Sequence, residues 1–233
     1  MPFASSISTQ PQTTQALDEV CSRIAGPAAA NPDLALVFFS PQHARQAETV
    51  AAALQKRLAP RVLLGCIAEA VIGNDQEVEE QPALSLWLAK WGGDGGSHRV
   101  EVEPFRLVLE RTSEGFSLLG WPDALVSADP GSSAMLVLGD PYSFPADFFL
   151  NQVNGDYAGL RVLGGMASGM TGAGECRLIA GGDVHEDGAV GVLLQGPIGL
   201  RSVVSQGCRP IGRHLIITKA ADDIIFELGG RPP

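Results

Sequence analysis

The chain has 233 residues, of which 45% are hydrophobic and 18% are charged, and its formal net charge at pH 7 is −10. This composition is typical of a folded domain with a sizeable core and excludes an intrinsically disordered chain. The 16 basic residues are scattered among 26 acidic ones. Nucleic acids and anionic membranes bind clustered Lys and Arg, so neither is expected as a partner.

Signals for targeting and for metal binding do not occur in the sequence. The N-terminus lacks the basic region and apolar run of a secretory signal peptide, and no apolar run reaches the roughly 18 residues that cross a bilayer. The four cysteines and four histidines are widely spaced, unlike the paired ligands of a structural zinc site. We therefore expect a soluble cytoplasmic protein without a bound metal or cofactor.

The first part of the chain predicts a strand–helix–strand unit. Two short apolar runs are typical of strands buried on both faces, and the segment between them is Ala-rich with basic residues at its end, which favours a helix. With short connections, such a unit pairs its strands in parallel. A disordered lead-in, a helix, a strand, a helix and a strand are predicted at residues 1–11, 12–28, 34–39, 41–58 and 61–66.

Less regular strands follow, and then the pattern begins again. Strands are predicted at residues 83–90 and 99–109, joined by a glycine-rich turn, with a short helix near 116–126. The second part contains a strand, a helix, a strand, a three-stranded antiparallel meander and two closing strands. These lie at residues 135–138, 145–153, 161–164, 176–184, 189–195, 200–206, 214–218 and 224–228.

A shift of 100 residues superposes the two parts of the chain. Seven identities cluster on the strands of the two βαβ units, and the shift makes Gly65 and Gly165 equivalent. The predicted fold class is mixed α/β, with two pseudo-repeated β-α-β-plus-meander halves at about residues 30–128 and 130–233. Mixed sheets flanked by helices would close either as an α-β-β-α layered sandwich or as one continuous sheet. Residues 12–233 are expected to form one domain.

Glycine-rich segments follow two of the parallel strands, at residues 65–73 and 164–172, and a third lies at residues 206–212. Ligands of parallel sheets collect at the carboxyl ends of strands, and glycine loops can form anion-binding nests there. Alternatively, the glycines only allow the strands to turn and pack. The candidate ligand-binding residues are Gly65, Cys66, Ile67, Ala68, Gly165, Met166, Ala167, Ser168, Cys208 and Arg209.

Familiar catalytic motifs are missing. The sequence contains no phosphate-binding loop, no dinucleotide fingerprint and no G-x-S-x-G motif. Cys66 lies at a strand end, but no histidine lies near it in sequence to lower the pKa of its thiol. No catalytic residue is assigned. An enzyme with Cys66 or Ser168 as nucleophile, and a protein-interaction scaffold, stay open as alternatives to a ligand-binding protein. Asp140-Pro141 is predicted as a turn that leads into a helix.

Several short motifs of the chain form a recognisable set: Gly65-Cys66, Val71-Ile72-Gly73, Asp140-Pro141 and residues 164–168, 206–212 and 218–232. Taken in order, these motifs resemble the N-terminal FIST domain, and the resemblance extends from about residue 34 to the end. It implies a sensory domain of intracellular signal transduction that binds small ligands, with amino acids or small carboxylates as the expected class. It also implies a C-terminal FIST domain or another signalling protein as partner, and no catalytic residues.

Overall fold

The computed structural model describes residues 3–24, 26–91, 100–113, 115–203, 210–221 and 224–233. The chain forms two compact units, Met1–Gly199 and Leu200–Pro233. The first unit contains both βαβ units and their sheets. The second contains one antiparallel hairpin, formed by the strands Ile217–Ala221 and Ile224–Leu228.

Three α-helices lie in the described residues: α1 (Thr13–Arg23), α2 (Ala47–Leu58) and α3 (Ala146–Asp156). The strands of the first βαβ unit and those around it are β1 (Phe3–Ser8), β2 (Leu34–Phe39), β3 (Val62–Ile67), β4 (Val71–Gly73), β5 (Gln76–Val78), β6 (Leu84–Ala89), β7 (Glu101–Thr112) and β8 (Gly115–Leu119). The later strands are β9 (Ser133–Gly139), β10 (Arg161–Met166), β11 (Leu178–Ala180), β12 (Asp183–His185), β13 (Ala189–Gln195), β14 (Ile217–Ala221) and β15 (Ile224–Leu228).

Two mixed sheets make up most of the first unit. Sheet 1 has the strand order β1-β6-β2-β3-β11-β12, and sheet 2 has the order β10-β9-β13-β7-β8. In each sheet the two strands of a βαβ unit pair in parallel, β2 with β3 and β9 with β10. Strands β7 and β8 join the sheet of the second βαβ unit, whereas β11 and β12 join that of the first. Each sheet therefore needs strands from both parts of the chain.

The two sheets pack face to face with helices outside them. Successive side chains of β13 point to opposite faces of sheet 2, as the two-residue period of a strand requires, and they pack in two different core clusters. Val190 and Val192 belong to a core cluster with α1, α2 and sheet 1, whereas Ala189 and Leu193 pack in a second cluster with α3. Because β13 also packs directly on β3 and β11, the layers run helices, sheet 1, sheet 2, helix. The mixed α/β prediction is confirmed, in its α-β-β-α layered form.

Several local predictions differ from the structure. Phe3–Ser8, expected to belong to a disordered lead-in, form β1 because the backbone of β6, far away in sequence, pairs with them. The helix predicted near 116–126 is instead the strand β8 followed by a 3-10 turn at Asp123–Ser127. Residues 200–203 have no regular structure where a meander strand was expected, and the glycine turn near 92–96 lies outside the described residues.

The βαβ units agree closely, with one correction to their register. Val37 on β2 pairs with Gly65, whereas Val137 on β9 pairs with Gly164. The partner of Gly65 in the repeat is therefore Gly164, not Gly165, because the connection between the strands is one residue shorter in the second βαβ unit. A Cβ atom on Gly65 would lie 2.3 Å from the Val37 oxygen, and one on Gly164 would lie 1.8 Å from the Val137 oxygen. Both positions need glycine.

Candidate functional site

Two of the predicted glycine loops meet at the carboxyl ends of the parallel strands. The Ser168 N–H donates to the Ile67 carbonyl oxygen at 3.3 Å, and the Glu69 N–H donates to Ser168 Oγ at 3.0 Å. The N–H groups of Ala68 and Ala167 donate to the last carbonyl groups of β2 and β9. These bonds hold the ends of sheets 1 and 2 together, so the loops form a fixed surface.

The predicted site residues differ widely in accessibility. Gly65, Cys66 and Ile67 are buried in β3, which lies between β2 and β11, and Ala167 is buried as well. Ala68 is half-buried, and Gly165, Met166 and Ser168 are exposed. Cys208 and Arg209 lie outside the described residues. The end of β3 therefore lies beneath the surface, and the end of β10 together with Ser168 is the part that a ligand could reach.

A cavity of about 280 Å³ lies between α3 and the strands β9 and β10. Its volume is close to the lower end of small-molecule pockets, which begin at about 300 Å³. None of the described residues that line it carries a charge. Gly165 and Met166 are the predicted site residues that line it. Its apolar walls come from Val137, Phe144, Phe149, Leu150, Val162 and Met166.

The walls of the cavity are held in place by aromatic packing. The Phe144 and Phe149 rings lie 5.3 Å apart, and Phe149 also stacks on Trp121 at 5.5 Å. Gly139 ends β9 beneath them; a Cβ atom there would lie 2.6 Å from the Phe144 ring and 3.0 Å from Met166 Sδ. Glycine thus lets both side chains pack over the end of β9, where they form part of the cavity wall.

Asp140 shapes the entry to α3, as the predicted turn required. Its side chain is 1% exposed, and its Oδ2 accepts a hydrogen bond from Ser143 Oγ at 2.5 Å. Ser143 Oγ accepts in turn from the Gly188 N–H at 2.8 Å, and the Phe144 N–H donates to the Asp140 carbonyl oxygen at 2.9 Å. Asp140 therefore positions Phe144 in the cavity wall.

The two candidate nucleophiles lie in surroundings that do not activate them. Burial, and to a lesser degree the nearby Cys176, raises the pKa of the Cys66 thiol to about 12. Burial and the negative charge of Asp140 raise the pKa of Cys176 to about 12 as well. Such thiols stay protonated at neutral pH and are weak nucleophiles. Ser168 Oγ accepts its hydrogen bond from a backbone N–H, and no described carboxylate or imidazole hydrogen-bonds it.

A buried histidine was missed by the sequence analysis. His43 follows β2 and is fully buried; its Nδ1 lies 2.8 Å from Thr13 Oγ1, and its Nε2 has no hydrogen-bond partner among the described residues. Burial lowers the pKa of the ring. The 100-residue shift places His43 on Ser143, but this equivalence does not reveal the burial of His43, so no signal in the sequence would have found it. In the described residues no three His, Cys, Asp or Glu side chains form a metal-binding group.

Among the described residues no helix has the length and apolarity to span a bilayer.

Two curated relatives are the "Uncharacterized protein Rv0628c" of Mycobacterium tuberculosis and the "Uncharacterized protein Mb0898c" of Mycobacterium bovis. They are 37% identical to this chain over 228 and 231 residues, which is 97% of this chain and 56% of each relative. The chain thus spans about half the length of these relatives. The family model of the FIST N domain matches residues 33–231. The resemblance noted in the sequence is confirmed, and the chain belongs to the FIST N domain family.

Proposed function

We propose that the chain is a sensory module of intracellular, cytoplasmic signal transduction that binds a small ligand in the cavity between α3, β9 and β10. The observation that carries this proposal is the cavity itself, which lies at the carboxyl end of a parallel strand pair, where α/β proteins place their ligands. Its volume of about 280 Å³ suits a molecule of amino-acid size. Membership of the FIST N domain family supports the sensory role.

An amino acid or a small carboxylate is the proposed ligand. The apolar walls take its side chain, and its charged groups stay at the mouth beside Gly165 and Met166, which are both exposed. Backbone N–H groups of the loop after β10 are the proposed partners of a ligand carboxylate, because charge-assisted hydrogen bonds are the strong ones. Gly65, Cys66, Ile67 and Ala68 support the loop rather than contact the ligand.

The proposed signal is a change of surface next to the cavity. Leu150 and Met166 line the cavity and are also 43% and 40% exposed. A ligand that contacts their inner side therefore favours particular conformations of residues that a partner protein can contact from outside. A ligand shifts such an equilibrium only by its difference in affinity for the two conformations, so contact with these two side chains is required.

The proposed partner is a C-terminal FIST domain or another signalling protein, as the family resemblance implies. The hairpin β14–β15 is the surface that would bind it. A two-stranded hairpin has little stability alone, and exposed apolar patches mark protein interfaces. The exposed apolar residues of this unit include Leu215, Ile216, Ile217, Ile224, Ile225 and Phe226.

A thermal-shift screen of the twenty amino acids and of small carboxylates tests ligand binding. A ligand at 100 times its Kd stabilises the folded state by about 2.7 kcal/mol, which raises the Tm of a chain of this size by roughly 5–10 °C. The variant Ala146→Phe fills the cavity from the first turn of α3 and should lose the shift. Asn151→Leu, at an exposed position of the same helix, should keep it. The proposal fails if no compound shifts the Tm of the wild-type chain.

A further inference from the structure

We infer that the cavity selects ligands with a large apolar side chain, either branched aliphatic, thioether or aromatic, over ligands of the same size with a polar one. This inference rests on the proposed function, since it concerns the same site. It goes beyond that function because it states which amino acids or carboxylates the site distinguishes. Three features of the cavity support it: the chemistry of its walls, their shape and the position of its mouth.

The walls offer a ligand side chain no polar side-chain partner, and the polar atoms that they expose belong to the backbone. All the described residues that line the cavity are glycines or have aliphatic, aromatic or thioether side chains. An amide or hydroxyl group that enters loses its hydrogen bonds to water and gains none from a side chain in return. From protein mutational data, that loss weakens binding roughly tenfold to hundredfold. A charged side chain is excluded more strongly.

The shape of the cavity favours a bulky apolar group. Phe144 and Phe149 meet at an interplanar angle of 51°, so together they form two inclined aromatic walls. Met166 Sδ would lie 3.0 Å from a Cβ atom on Gly139, which places the polarisable thioether over the end of β9. Aromatic faces and a thioether pack well against aliphatic, sulfur-containing and aromatic groups. Glycine- or alanine-sized ligands would leave much of the 280 Å³ unfilled.

The mouth of the cavity lies where charged groups can stay hydrated. Gly165 and Met166, which line the cavity, are both exposed. The amino and carboxylate groups, which all amino acids share, can therefore remain in water or bind the loop backbone at this point. Discrimination between amino acids then comes from the side chain alone, which is the part that enters the apolar cavity.

Leucine and asparagine provide the sharpest test, because their side chains have nearly the same shape and differ in polarity. We expect calorimetric titration of the whole chain to give a Kd for leucine at least tenfold lower than that for asparagine, and the same order for methionine against glutamine. Equal affinities, or tighter binding of the polar member, would overturn the inference while the proposed function stands. If no amino acid or carboxylate binds at all, both fail.

A substitution in the wall tests whether this cavity is the source of the selectivity. Met166→Gln keeps the length of the side chain and adds a polar group, so it should reduce the ratio between the two affinities by threefold or more. Leu119→Gln is the matched control, because Leu119 is exposed to a similar degree on β8, at the opposite edge of sheet 2, and it should leave the ratio unchanged. An unchanged ratio in Met166→Gln contradicts the inference. Urea unfolding of both variants verifies that they are folded.

Discussion

Adding one methyl group at Gly164 should destabilise the protein far more than adding it at the next residue, Gly165. The Cβ atom of Gly164→Ala would lie 1.8 Å from the Val137 carbonyl oxygen, and the backbone φ of +144° is unfavourable for alanine. Strained φ values cost about 1–3 kcal/mol, and overpacking costs about 1–3 kcal/mol. The expected loss of unfolding free energy is therefore about 2–6 kcal/mol, a large part of the roughly 5–15 kcal/mol that stabilises a domain.

Gly165→Ala adds the same methyl group where no other atom lies within 4 Å, so its effect should stay within about 0.5 kcal/mol. Urea unfolding followed by circular dichroism measures both variants. If Gly164→Ala fails to fold while Gly165→Ala folds normally, the result agrees with the prediction. Equal stability of the two variants would refute the reasoning, because it would mean that Gly164 does not occupy the close-approach position that Gly65 occupies in sheet 1.

Three further predictions concern the thiols, the buried histidine and the hairpin. With a pKa of about 12, roughly one in ten thousand of the Cys66 or Cys176 thiols is ionised at pH 8. Mass spectrometry should therefore find both cysteines unalkylated by iodoacetamide until urea unfolds the chain. Rapid alkylation of Cys66 in the folded protein would contradict its burial. Burial lowers the pKa of His43, so the unfolded state binds more protons than the folded state below about pH 6.5, and the free energy of unfolding should fall as the pH decreases. His43→Gln should make the free energy of unfolding less dependent on pH in this range. An unchanged pH dependence would mean that another group is responsible for it. In a full-length relative, hydrogen exchange should be slower at the positions equivalent to β14 and β15 than in this chain; equal rates would contradict docking at the hairpin.

The sequence predicted the elements whose signals are local. The apolar runs that become β2, β3 and β9 can be recognised without knowing their partners, and the 100-residue repeat indicated that the chain contains two βαβ units. The strands that depend on distant partners could not be found in this way. Phe3–Ser8 are half polar and become a strand only because β6 pairs with them. The exchange of β11 and β12 between sheets likewise depends on long-range packing.

The candidate site was predicted in part. The carboxyl ends of the parallel strands were located, and Gly165 and Met166 do line the cavity. The aromatic walls were missed because Phe144 and Phe149 look like ordinary core positions of a helix and the turn before it. Phe144 and Met166 both pack closely over Gly139, where a Cβ atom would clash with them, and this contact joins segments that no local pattern links.

The central claim, that a ligand binds between α3 and β10, is tested most directly by the methyl NMR signals of the methionines. The chain has four methionines, so isotope labelling of their methyl groups gives a simple spectrum, and Met166→Leu assigns the signal of interest. We predict that leucine shifts the Met166 signal in a saturable way and leaves Met170, which packs against the first core cluster, unchanged. A titration in which Met166 stays unchanged at saturating leucine, or in which Met170 shifts instead, would contradict the claim.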